Sequence, residues 1–289
     1  MKHIIFVISI LLVSILIFKY DFKGETFISE SFNIANTTNE AELNFDFNLE
    51  KKLKNIKLEK GTFSFAYIDL INNKEYFINS DEEYYYASIF KIPVAVTVFK
   101  NIDNGNRELS DKLTYLKKDY EGGDGSLQYS DFESTYSINE LLEKLLKESD
   151  NVAMNILIRE FGLDNVYQTA LALDTSANFA NNNKGTVNDG ITMFKTIDST
   201  NVLSKESKKN LYSFLTNTSF EDRVKPGLNP TSTYIHKIGT WPETASYHDC
   251  GIVVNATNRY YICVLTKDTT LTQAQELSTK LAKIIESLY

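Results

Sequence analysis

Only two cysteines, Cys250 and Cys263, and three histidines occur among the 289 residues. Neither cysteine belongs to a C-x-x-C pair, and no set of His, Cys and carboxylates has metal-ligand spacing. The sequence therefore supports no zinc site and implies no cofactor. The two cysteines could face each other on adjacent strands, but disulfides require specific geometry, so unpaired thiols are expected. A basic stripe is also missing. The 30 Lys and Arg are interspersed with 38 Asp and Glu for a formal charge of −8. That balance argues against nucleic acid as a partner and describes an ordinary solvated surface. No internal repeat is found.

Long apolar runs are absent but for one, from Ile4 to Phe18, preceded by Lys2 and His3 and followed by Lys19. A positive start before an apolar core matches a signal peptide or signal anchor. The run is shorter than the roughly 20 residues of a typical spanning helix. No A-x-A-like cleavage site follows, and no cysteine follows that would carry a lipid. The expectation is an exported protein, secreted or tethered to a membrane through residues 4–18. Residues 1–19 form the signal segment, residues 20–39 a polar linker, and residues 40–289 the globular part. That part is long enough for one large domain or two closely packed subdomains, and the expected state is a monomer.

Within it, Leu49 to Leu58 reads as an amphipathic helix. Thr62 to Leu70 and Lys74 to Ile78 read as a hairpin around the turn signal Asn72-Asn73. An apolar helix follows Ser88 and runs to about Ile102. Ser137-Ile138-Asn139-Glu140 is a capping box opening a Leu-striped helix. A break at Ser149-Asp150-Asn151 leads into a helix stopped by Gly162. Extended runs return at Tyr234–Trp241, Cys250–Val254 and Tyr260–Thr266, with a turn over Ala256–Arg259. A last helix starts near Thr272. Strands at both chain ends with helices between them predict an α+β fold: an antiparallel sheet flanked by helices, with an all-helical subdomain inserted over about residues 105–225.

Three short motifs carry chemistry. Ser88-x-x-Lys91 puts an amine beside a hydroxyl on one helix face, and a serine needs such a base to become a nucleophile. The helix start also favours developing negative charge. Ser149-Asp150-Asn151 offers a hydroxyl for proton relay and an amide for a substrate carbonyl; by itself it reads equally as a helix end and a cap. Lys237-Ile238-Gly239-Thr240 joins a cation to a glycine that allows close backbone approach. Lys225-Pro226-Gly227 has the same K-x-G form but sits in a Pro/Gly/Asn-rich loop and is set aside. His236 reads as a strand-face residue. Trp241 is either cleft rim or core.

In this order and spacing the three motifs resemble those of the serine β-lactamase and penicillin-binding family, over roughly Leu49 to Tyr289. The resemblance implies a β-lactamase/D,D-peptidase-like fold. It implies Ser88 as the acylated nucleophile, Lys91 as general base or part of the relay, and Ser149 as proton donor to the leaving nitrogen. It further implies that Asn151 holds the substrate's side-chain amide and that Lys237, with Gly239 and Thr240, meets its carboxylate. The N–H groups of Ser88 and Thr240 would form the oxyanion hole. The partner so implied is a small β-lactam or a peptidoglycan peptide.

Two departures from the family pattern matter. Ile238 stands where the family carries Thr or Ser, leaving Thr240 or Thr233 to compensate. No glutamate occurs between Glu160 and Glu206, where class A β-lactamases keep the one that activates the deacylating water. Asp174 is the candidate substitute there, though a turn residue is the preferred reading. The leading expectation is a class A-like β-lactamase. A D,D-peptidase or cell-wall peptide hydrolase, and a non-catalytic tethered sensor of penicillin or wall peptide, are the alternatives.

Overall fold

The computed structural model describes residues 49–256 and 258–289. The expected signal segment and linker lie outside these residues. Among the described residues no helix is long and apolar enough to cross a membrane. The helix expected over Leu49–Leu58 is only a short one, residues 49–53; the poor helix former Asn55 follows it.

From Ile56 onward, a five-stranded antiparallel sheet carries the fold. Its strands are β1 (Thr62–Asp69), β2 (Lys74–Ile78), β7 (Thr233–Trp241), β8 (Ser246–Val254) and β9 (Arg259–Lys267), in the order β2-β1-β9-β8-β7. The sheet thus joins strands from early and late in the chain, and β7 is one of its two edges. Two-stranded pairs β3 (Tyr84–Tyr85) with β6 (Lys184–Gly185), and β4 (Lys112–Thr114) with β5 (Thr135–Ser137), lie in between. The α+β expectation holds.

Strand β8 starts earlier than the apolar run Cys250–Val254 suggests, because its polar residues find partners inside the sheet. The Nδ1 atom of His248 accepts from the Thr266 N–H at 3.1 Å, which leaves its Nε2–H to donate to the Tyr85 carbonyl at 2.9 Å. Burial lowers the His248 pKa to about 4 and keeps the ring neutral.

Helix α1 (Lys91–Asp103) is buried continuously from Lys91 to Phe99, as its nearly all-apolar sequence requires. Around it pack α2 (Ile138–Lys147), α3 (Asn151–Phe161), α4 (Leu163–Ala172) and α7 (Lys205–Phe214). The capping box of α2 is formed: Ser137 N–H donates to Glu140 Oε2 at 2.7 Å, and Glu140 N–H to Ser137 Oγ at 3.2 Å. Helix α5 (Ala177–Asn182) leads through β6 into α6 (Val187–Ser199), which packs on β1, β8 and β9. Helix α8 (Leu271–Glu286) packs on β8 and closes the chain.

The expectation of free thiols is corrected. Cys250 and Cys263 are directly opposed on β8 and β9 and form a buried disulfide.

Candidate active site

Ser88 sits in a 3-10 turn, Ala87–Phe90, that feeds into α1. The turn begins with Ala87 in the left-handed region, φ 51°. That conformation costs energy in a residue with a Cβ and persists only where neighbours enforce it. Asn183 supplies two of the restraints: its carbonyl accepts from Tyr86 N–H at 2.9 Å, and its Nδ2 donates to the Ala87 carbonyl at 3.1 Å. The Tyr86 hydroxyl supplies a third, accepting from Gly190 N–H at 3.0 Å on α6.

One helical turn on, Lys91 Nζ lies 2.9 Å from Ser88 Oγ and 2.7 Å from Asn151 Oδ1. A longer contact of 3.4 Å reaches Ser149 Oγ. Burial pushes the Lys91 ammonium down to about 8, against the opposing pull of Asp124, Glu121 and Asp150.

Ser149 is itself buried and left-handed, φ 56°. Asp150 next to it caps α3, accepting from Ala153 N–H at 2.8 Å, and also accepts from Leu127 N–H at 2.8 Å. The capping reading of Ser149-Asp150-Asn151 is therefore correct for Asp150, while the residues on either side turn toward Lys91.

From β7, Lys237 Nζ donates to Ser149 Oγ at 3.0 Å and to the Ile238 carbonyl at 3.3 Å. Burial first, and the nearby Lys91 charge second, hold its pKa well below the usual lysine value. Gly239 is needed for contact, since a Cβ there would stand 2.4 Å from the Tyr86 carbonyl. Ser88, Lys91, Ser149, Asn151 and Lys237 are thus one hydrogen-bonded chain running from α1 through the start of α3 to β7.

A cleft of about 570 Å³ opens over this chain, lined by Ser88, Lys91, Asn151, Asn183, Thr240 and Trp241 among others. Trp241 is at the rim, against the Tyr85 ring at 4.9 Å between centroids.

Ile238 does not line the cleft; it is 3% exposed and sits opposite Asp249. Thr233 lies at the far end of β7, opposite Val254, too distant to compensate. The partner of Thr240 is a residue the motifs do not contain. Buried Arg223 donates to Thr240 Oγ1 at 2.6 Å, to the His248 carbonyl at 2.6 Å and to the Gly239 carbonyl at 3.1 Å.

Asp174 is not a site residue. It is a left-handed turn residue, φ 58°, that accepts from Thr196 Oγ1 at 3.1 Å and lines a separate cavity with Asp189. His236 is a buried structural residue, with Nδ1 2.7 Å from Asp249 Oδ1 and Nε2 3.4 Å from Glu221 Oε1. Lys225-Pro226-Gly227 is a short 3-10 turn, with Lys225 Nζ on the Ser232 carbonyl at 3.0 Å.

Comparison with known proteins agrees with this fold. β-Lactamase VEB-1 of Pseudomonas aeruginosa is 25% identical over 214 residues, covering 67% of this chain and 72% of that protein. The structure of PBP-A is similar with a TM-score of 0.75 at 22% identity, covering 84% of this chain and 95% of PBP-A. A PBP-A variant solved as an acyl-enzyme with penicillin G gives 0.74 at 22% identity, covering 84% and 94% of the two chains. TLA-1 extended spectrum β-lactamase gives 0.73 at 22% identity, covering 85% and 98%. The profile of the β-lactamase enzyme family matches residues 48–289, and the chain belongs to that family.

Proposed function

We propose that the chain forms an acyl-enzyme on Ser88 with β-lactams and related peptide amides, and releases the acyl group slowly, as a penicillin-binding peptidase does. The observation that carries this reading is the 2.9 Å contact between Ser88 Oγ and a buried Lys91 amine whose pKa is lowered to about 8. A neutral amine there takes the Ser88 proton as Oγ attacks the carbonyl carbon. The C–N bond then breaks, and the leaving nitrogen takes a proton through Ser149, whose hydroxyl touches both lysines. The Asn151 amide faces the acyl side chain. Lys237 and Thr240, with Arg223 behind it, meet the substrate carboxylate. The N–H groups of Ser88 and Thr240 serve as the oxyanion donors.

Slow release is supported by the segment between α4 and α6. It brings Asn183 to the cleft, while its one carboxylate, Asp174, lines another cavity, as does Asp189 in the first turn of α6. Water activation in this cleft thus lacks a carboxylate from that segment. Turnover as a class A β-lactamase is the second reading, favoured by Lys91, which can serve as base a second time. We also infer export, on the N-terminal apolar run and on the disulfide, which persists in oxidising compartments.

Purified protein incubated with labelled penicillin, followed by mass and label over time, tests this. A lasting adduct of one label per chain on the Ser88 peptide, absent in Ser88→Ala, is expected. Accumulating ring-opened product with only a transient adduct would favour the β-lactamase reading. No adduct at all would overturn both.

A further inference from the structure

Two carboxylates, Glu121 and Asp124, line the cleft together with Ser88, Lys91, Asn151 and Thr240. Two buried basic side chains lie behind that lining: Arg223 donates to Thr240 Oγ1 and Lys237 to Ser149 Oγ. Both carboxylates oppose the lowering of the Lys91 pKa. Glu121 is the more exposed of the two, and its loop meets the cleft beside Asn151, whose Nδ2 donates to the Gly122 carbonyl.

Glu121 is also held in position. Asn155 Nδ2 donates to its Oε2 at 2.8 Å, and among the described residues its Oε1 takes no hydrogen bond. The loop that carries it is tied to α3 through Asn151 Nδ2 on the Gly122 carbonyl at 3.1 Å. Gln128 Nε2 closes the loop from within, donating to the Gly125 carbonyl at 2.8 Å. Residues 122 and 123 are glycines, and Gly123 lies against Asn151: a Cβ there would stand 3.0 Å from Asn151 Nδ2. A fixed carboxylate at the edge of an open cleft favours a cation without reorganisation on binding.

Resting on the acyl-enzyme reading above, we propose that Glu121 makes the cleft selective for substrates whose acyl portion carries a protonated amine. The preferred substrate is then zwitterionic: a carboxylate on the leaving side and an ammonium on the acyl side. Acyl-amides with a free side-chain amine fit this description; those with a carboxylate in the same position do not.

The test uses three penicillins that differ in charge at one side-chain carbon: ampicillin (ammonium), benzylpenicillin (neutral) and carbenicillin (carboxylate). Second-order acylation rates of the full protein are measured at mildly acidic pH, where the ampicillin amine is protonated. Ampicillin is expected to react about two- to fivefold faster than benzylpenicillin, and carbenicillin slower by a similar factor, as one exposed ion pair allows. The spread is expected to shrink in 1 M salt. Glu121→Gln is expected to bring the three rates together and Glu121→Lys to reverse their order. Glu276→Gln removes an equal charge elsewhere and is expected to keep the order. Equal rates in the unaltered protein, or an order that survives Glu121→Gln, would overturn the proposal while leaving acylation of Ser88 intact. Failure of all three to acylate would overturn the acyl-enzyme reading and this inference with it.

Discussion

Lys91 and Lys237 share one acceptor, the hydroxyl oxygen of Ser149, at 3.4 and 3.0 Å. Two ammonium groups this close, both buried, cannot both hold their protons at ordinary lysine pKa values. Lys91 is the one placed to act as base on Ser88, and it must be neutral to do so. The sign follows directly: below about 8 Lys91 is protonated and acylation is suppressed; above it the amine is free. The acylation rate with benzylpenicillin is expected to rise about tenfold per pH unit below 8 and to level off above it. Lys91→Ala is expected to lose at least about a hundredfold at every pH. A flat profile between pH 6.5 and 9.5 would remove Lys91 from the role of base.

Ile238 and Arg223 make a paired prediction. Restoring the family residue with Ile238→Thr is expected to leave carboxylate recognition unchanged, because this side chain is buried outside the cleft. The variant is expected to lose about 1–2 kcal/mol of stability in urea unfolding from the shortened, more polar side chain. Arg223→Ala is expected to do the opposite to function, raising KM for carboxylate-bearing substrates at least about fivefold, because Thr240 and two buried carbonyls lose their donor. If Ile238→Thr lowers KM, the orientation of the third motif is wrong.

Much of this site is legible in the sequence because helical spacing is rigid. Ser88 and Lys91 must share a face, and Ser149 and Asn151 must flank a cap. What was not legible depends on register or on distant contacts. The disulfide is an example. A turn over Ala256–Arg259, as the sequence suggests, would set Cys263 opposite Ile252, short of Cys250; the actual turn closes from Asn255 to Asn258, with Val254 opposite Arg259, and that register brings the cysteines face to face. Arg223 lies in a non-periodic segment, and nothing local ties it to Thr240. Asn183 ends an Asn-rich run that reads as a polar loop. Its one signal is that asparagine tolerates the left-handed conformation it adopts, φ 53°.

Asn183 separates backbone from side-chain roles through two variants. Asn183→Gly keeps the left-handed backbone at low cost and removes only the donor to the Ala87 carbonyl. Its stability is expected to fall by less than about 1.5 kcal/mol, while acylation slows about tenfold as the Ala87 turn loses a restraint. Asn183→Ala adds a strained left-handed residue and is expected to lose about a further 1 kcal/mol. Equal acylation rates in the unaltered protein and in Asn183→Gly would mean that the side chain does not hold the nucleophile's turn.

The His236 cluster predicts a pH-dependent stability remote from catalysis. Burial alone would lower the His236 pKa, but Asp249 and Glu221 outweigh it, so the imidazolium is favoured and the pKa is raised. A base raised in this way contributes stability that is fully present below the unfolded histidine pKa of about 6.5 and is lost as pH rises through the higher folded value. His236→Gln leaves the buried carboxylate of Asp249 without its charged partner, though Tyr234 Oη at 3.0 Å and Val224 N–H at 3.1 Å still donate to it. The variant is expected to be about 3 kcal/mol less stable at pH 6. The gap between the two proteins is expected to narrow as pH is raised toward 9. Urea unfolding of both across that range measures it, and a gap that stays constant with pH would show that His236 is neutral in the fold and serves only to fill space against Tyr234.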